Sequence, residues 1–207
     1  MIHQEYFNKL VNVMTSETYL EDVKKARAEY IKIAGEVFED DKSFEMRMTS
    51  FLEWYILAHP INTINKTPLK IYLDEYTSSI KDEEREFFSG LVNTIHSIFE
   101  VKGQKKEFLK IRDLFSMENY LVSENNINHN FRKGDILEAK VFPFKGKYFF
   151  SNAFCFHPKK AGKFISGELK KMKKNNNPDI SDFILKLSYM NLKWERARGI
   201  DAKEIYR

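Results

Sequence analysis

Two alternating apolar segments, 136–144 and 148–156, meet across Lys145-Gly146, and this arrangement constrains the fold more than anything else in the chain. A two-residue connection containing glycine between alternating runs reads as a tight β-hairpin. The turn then pairs Phe144 with Lys147, Phe142 with Phe149, Lys140 with Ser151 and Glu138 with Ala153. Side chains alternate along a strand, so these residues share one face. The other face carries Leu137, Ala139, Val141, Tyr148, Phe150, Phe154 and Phe156, and reads as core. The hairpin runs directly into Pro158 and a lysine-rich helix to about Lys174, with Ala161, Phe164, Ile165, Leu169 and Met172 on its apolar side.

Apolar spacing has a helical period up to residue 96 and changes after it. Helices are expected over 3–14, from Ser16 to Gly35, from Asp41 or Ser43 to before Pro60, from Thr67-Pro68 through Leu73, and from Asp82 through Ile95. Proline suits the first helical turn, and Asp82, Glu83 and Glu84 suit the positive end of a helix dipole. Strands are expected at 98–101, 107–114 and 116–122, with a turn at Gly103-Gln104. The polar run 125–130 reads as a loop and 175–178 as a linker. Ser181 then opens a closing helix through Phe183, Ile184, Leu187, Met190, Leu192 and Trp194. The expected fold is α+β: a helical N-terminal part, a small antiparallel sheet or open barrel, and C-terminal helices. It divides into an acidic helical part (1–96), a basic β part with its following helix (97–174), and a linker with a closing helix (175–207).

Charge follows the same division. The three parts carry net charges of −6, +9 and +1, which together give the overall +4. An acidic front and a basic middle suggest two different surfaces, or two halves that neutralise each other at their own interface. The 18 Phe and 10 Tyr can fill a sizeable core. The single cysteine, Cys155, excludes an internal disulfide and a Cys-cluster zinc site. The N-terminus lacks the basic and apolar regions of a secretory signal, and no apolar run reaches bilayer length, so a cytoplasmic protein without a membrane partner is expected.

No nucleotide-binding, nucleophile-elbow or zinc-protease motif is present, and the chain is read as non-enzymatic. Interleaved lysines and aromatics are what surfaces that hold nucleic acid use, with phosphates on the cations and bases on the rings. The candidate nucleic-acid-binding residues are Lys140, Phe142, Lys147 and Phe149 on the hairpin, with Lys159, Lys160, Lys163, Lys170, Lys171, Lys173 and Lys174 on the helix. The plainer alternatives are that the following helix or the N-terminal part covers Phe142 and Phe149, with Lys140 at the rim, and that the helix lysines form a solvated face. The partner is then RNA or DNA or, as the second reading, an acidic protein. Cys155 and His157 lie two apart on one strand face and can offer two metal ligands. No third ligand is evident from the sequence, so neither metal nor cofactor is expected, and Cys155 is expected to be a buried thiol.

The segment Phe51-Leu52-Glu53-Trp54-Tyr55, His59-Pro60, Lys66-Thr67-Pro68-Leu69 and Tyr72-Leu73 resembles a helix–loop–helix segment of uncharacterised bacterial proteins. Gly134-Asp135, Glu138-Ala139, Pro143-Phe144 and 154–158 are similar to the second half of such proteins. Some of those relatives carry a Cys-rich SEC-C zinc tail. This chain lacks that tail, and the resemblance implies no zinc role and no activity.

Overall fold

The computed structural model describes residues 2–61, 64–123, 130–175, 179–197 and 199–207. The expected linker at 175–178 and the loop at 125–130 fall mostly outside the described residues.

Among the described residues five α-helices come first: α1 (Gln4–Met14), α2 (Leu20–Ala34), α3 (Phe44–Leu57), α4 (Pro68–Tyr76) and α5 (Asp82–Val92). Gly35, at φ 84°, ends α2 in a conformation that a side chain would strain. Five strands follow: β1 (Ile95–Lys105), β2 (Phe108–Asp113), β3 (Asn119–Ser123), β4 (Ile136–Phe144) and β5 (Lys147–His157). The chain closes with α6 (Gly162–Lys174), α7 (Ser181–Arg196) and a short α8 (Ala202–Ile205) that the apolar pattern did not signal. The fold class is α+β, as the sequence implied.

The strands close into a barrel in the order β1-β2-β3-β5-β4. All neighbouring pairs are antiparallel except β3 and β5, which run parallel where Val122 meets Tyr148. The expected sheet is thus mixed and closed, without the free edges of an open one. Phe99, Val101, Leu109, Ile111, Val122, Leu137, Val141, Phe150 and Phe154 fill the interior. Phe156, expected in that core, is 37% exposed. Two further details differ from the sequence reading. The sheet starts at Ile95, inside the part expected to be helical, and an isolated bridge joins Ile61 to Lys66. Lys102 is the extra residue of a bulge beside Gly103, which sits at φ 150°, and the β1–β2 turn lies instead at Lys106, at φ 55°.

Helices cover much of the barrel's outside. The helical core of α1–α5 is completed by Phe142, Phe144 and Phe149 from the barrel. The Phe87 ring meets Phe142 edge-on at 5.7 Å. Gly90 lets α5 approach β4 closely, since a Cβ there would lie 2.1 Å from the Pro143 carbonyl oxygen. On another side Ile98 and Ile136 pack with Ile165, Leu169, Ile184 and Leu187 of α6 and α7.

Candidate functional site

The hairpin turn falls at Lys145-Gly146, with both residues at positive φ (46° and 70°), as a type I′ turn requires. Phe142 pairs with Phe149 and Phe144 with Lys147. The register then departs from the simple alternation. Val141 pairs with Phe150 but Ala139 pairs with Phe154, so Lys140 stands against three residues of β5. That bulge replaces the expected Lys140–Ser151 and Glu138–Ala153 pairs, and Glu138 faces Cys155 instead.

The hairpin's mixed face is not open to solvent, which corrects part of the expected binding surface. Phe142 is fully buried, Phe149 is 7% exposed and Lys140 is 2% exposed. Covering the apolar rings with α1–α5 gains more than leaving them wet. Lys140 can be buried because Glu53 of α3 comes with it: Nζ lies 3.3 Å from Glu53 Oε2. Glu53 also accepts from the Ser151 hydroxyl and from the Asn152 backbone N–H, each at 2.8 Å. These three residues therefore join the barrel to the helices and cannot stack on a base.

The remaining candidates are exposed: Lys147, Lys159, Lys160, Lys163, Lys170, Lys171, Lys173 and Lys174. Several already have partners. Lys160 pairs with Asp201 at 2.6 Å, Lys171 with Glu168 at 2.6 Å, and Lys159 lies 3.6 Å from Asp135. The structure brings two of these cations to residues that the sequence reading did not single out. Lys147 Nζ lies 5.6 Å from the Phe108 ring centroid on β2. Lys173 Nζ lies 5.5 Å from the Phe115 ring, in the β2–β3 connection. Between them is the outward side of β2 and β3. Phe108 and Arg112 are half-buried there, and Lys110, Asn119 and Leu121 are exposed. Lys110 sits directly across from Leu121, and Arg112 from Asn119. Lys105 and Lys106 add exposed cations at the β1–β2 turn. Alternation had shown 107–114 and 116–122 as strands, but not which strands the helices would leave uncovered.

A second polar group lies under the helices. Glu138, Cys155 and His157 present one ligand-capable atom each, all within 4.8 Å of one another. Glu138 and His157 are 3% and 4% exposed. Glu138 Oε1 is 3.0 Å from His96 Nε2, and His157 Nδ1 is 3.0 Å from the Tyr206 hydroxyl. Burial, reinforced by the Lys140 charge, pushes His96 below its ordinary pKa. Burial would raise Glu138, but the hydrogen bond and the charges around it hold it below the usual carboxylate range. Both directions fit a neutral His96 whose Nε2–H donates to an ionised Glu138. Burial lowers His157 to about 4, against the pull of Glu138. Burial also pushes the Cys155 thiol up, so the side chain is a poor free nucleophile. The expectation that nothing completes a ligand set around Cys155 and His157 is corrected here, because the bulge at Lys140 delivers Glu138.

Among the described residues no helix is long and apolar enough to cross a membrane. No curated protein and no solved structure matches the chain. A family model matches residues 4–193, nearly every element of both the helical part and the barrel, and the chain belongs to that family, the family of unknown function DUF7986.

Proposed function

We propose that the protein is a non-enzymatic binding protein that holds single-stranded RNA or DNA on the outward side of β2 and β3. Five-stranded Greek-key barrels of the oligonucleotide-binding type use this face and the flanking β1–β2 and β4–β5 loops. Likeness of architecture does not carry function. The observation that carries this reading is the cation set on the face left uncovered. Lys105, Lys106, Lys110 and Lys147 surround Phe108, and Lys173 extends the set along α6 through Phe115. Phosphates would meet the lysines while a base rests against Phe108.

The test is fluorescence anisotropy with labelled single strands of about 15 nucleotides, a length matched to known barrel site sizes. Replacing Lys110 and Lys147 by Glu is expected to weaken binding to every sequence. It should also flatten the plot of log affinity against log salt by about 0.7 per lost phosphate contact. No binding at low salt, or an unchanged slope in the variant, refutes the reading. An acidic protein partner is the second reading. It is favoured by Leu121, 56% exposed and directly across from Lys110. Binding of polyglutamate without binding of oligonucleotide selects it.

A further inference from the structure

We propose that Glu138, Cys155 and His157 form a zinc site, with the carboxylate, thiolate and imidazole as three ligands of a tetrahedral ion. The donors come from adjacent strands. Cys155 and His157 share one side of β5, and Glu138 stands across from Cys155 on β4. Two of the three donor residues are more than nine-tenths buried and present an atom with no hydrogen-bond partner among the described residues. These atoms are Glu138 Oε2 and His157 Nε2. Orphaned buried acceptors are costly, and a cation binding both removes that cost.

The surrounding groups prepare the donors. With Nδ1–H of His157 donating to Tyr206, Nε2 presents its lone pair to the site. His96 fixes the other oxygen of Glu138. Such outer contacts are how proteins orient metal ligands. Nearby cations are committed elsewhere: Lys140 to Glu53, and Arg47 to Ser188, Asn191 and Glu195. None of them bonds Glu138 Oε2, which stays open to an incoming ion. One thiolate, one imidazole and one carboxylate suit a borderline-soft divalent ion, for which zinc is the tetrahedral choice. Metal–ligand bonds of about 2.0–2.3 Å set ligand atoms roughly 3.3–3.6 Å apart, so the donors move inward by about 1 Å. Three protein ligands leave the fourth position for water. His157 also lines a surface pocket with Asn130, Arg132, Asp135 and Phe156.

The test uses full-length protein stripped with a chelator and reloaded with zinc chloride or cobalt chloride. One zinc per chain is expected. The cobalt form should show a thiolate-to-metal charge-transfer band and the strong visible bands of a tetrahedral ion. Cys155→Ser should abolish the charge-transfer band. Glu138→Gln should weaken zinc binding. Tyr206→Phe, which leaves all three ligands in place, should weaken it by about 10–100-fold. Melting curves of the metal-free variants separate lost binding from lost folding. If Cys155→Ser does not fold, the cobalt spectrum and Tyr206→Phe decide. A folded wild type that takes up no cobalt, a cobalt spectrum without the thiolate band, or unchanged zinc affinity in folded Cys155→Ser overturns the site.

Discussion

Lys140→Met is the sharpest test of how the barrel is joined to its helices. The substitution keeps the length of the side chain and removes the charge opposite Glu53. Glu53 is fully buried, so its carboxylate would lose the cation 3.3 Å away and gain no water. Removing one partner of a buried pair costs about 3–5 kcal/mol. The two hydrogen bonds that Glu53 keeps, from Ser151 and Asn152, place the expected loss near the lower end, about 3 kcal/mol. That is a large share of a typical stability of about 5–15 kcal/mol. Adding Glu53→Gln removes the stranded charge and keeps one acceptor. The double variant should be measurably more stable than Lys140→Met alone, because no buried charge is left unpaired. Urea unfolding reads both as shifts in midpoint at constant slope. A loss below about 1 kcal/mol for Lys140→Met, or no recovery in the double variant, refutes the claim that this pair is dry and mutually dependent.

Phe149→Ala should lower stability by about 3–5 kcal/mol, measured by urea unfolding, and leave oligonucleotide affinity per folded molecule unchanged. Its ring belongs to the helical core and not to a binding face. The ion pair between Asp41 and Arg196 should make stability pH-dependent in acid. Arg196 holds the Asp41 carboxyl, against the pull of burial, at about 2, below its free value of 3.8. The contribution is therefore complete above about pH 4 and is lost as the pH falls through 2. Arg196 is 37% exposed, so screening limits it to about 1 kcal/mol. Acid titration of stability in Arg196→Gln should lack that component.

Local signals in this chain were legible and non-local ones were not. Lys145-Gly146 fixed the turn, and with it the Phe142–Phe149 pair, because a type I′ turn dictates the pairs next to it. The bulge opposite Lys140 was invisible, since neither glycine nor proline marks it and alternation continues through it. That local shift moved Glu138 from Ala153 to Cys155 and concealed the ligand set. Barrel closure joins β1 to β4 and β3 to β5, pairings that no neighbouring residues encode. Lys140 read as a surface lysine because its partner, Glu53, lies on a helix far back in the sequence. The α6 lysines were placed correctly on an exposed face, whereas the cations of β2 gained meaning only once the helices were seen to leave that side bare.

The three phenylalanines that β4 and β5 lend to the helical core also order events during synthesis. Helices α1–α5 can be complete when Val92 leaves the ribosome, yet the rings of Phe142, Phe144 and Phe149 lie roughly 50 to 57 residues further on. At about 5–20 residues per second, this interval lasts on the order of 3–12 s. Through it the nascent helices carry an apolar surface with nothing to cover it. The hairpin is thus the step that ends the chain's most vulnerable period, and a slow codon or a mutation there extends exposure of a segment translated long before.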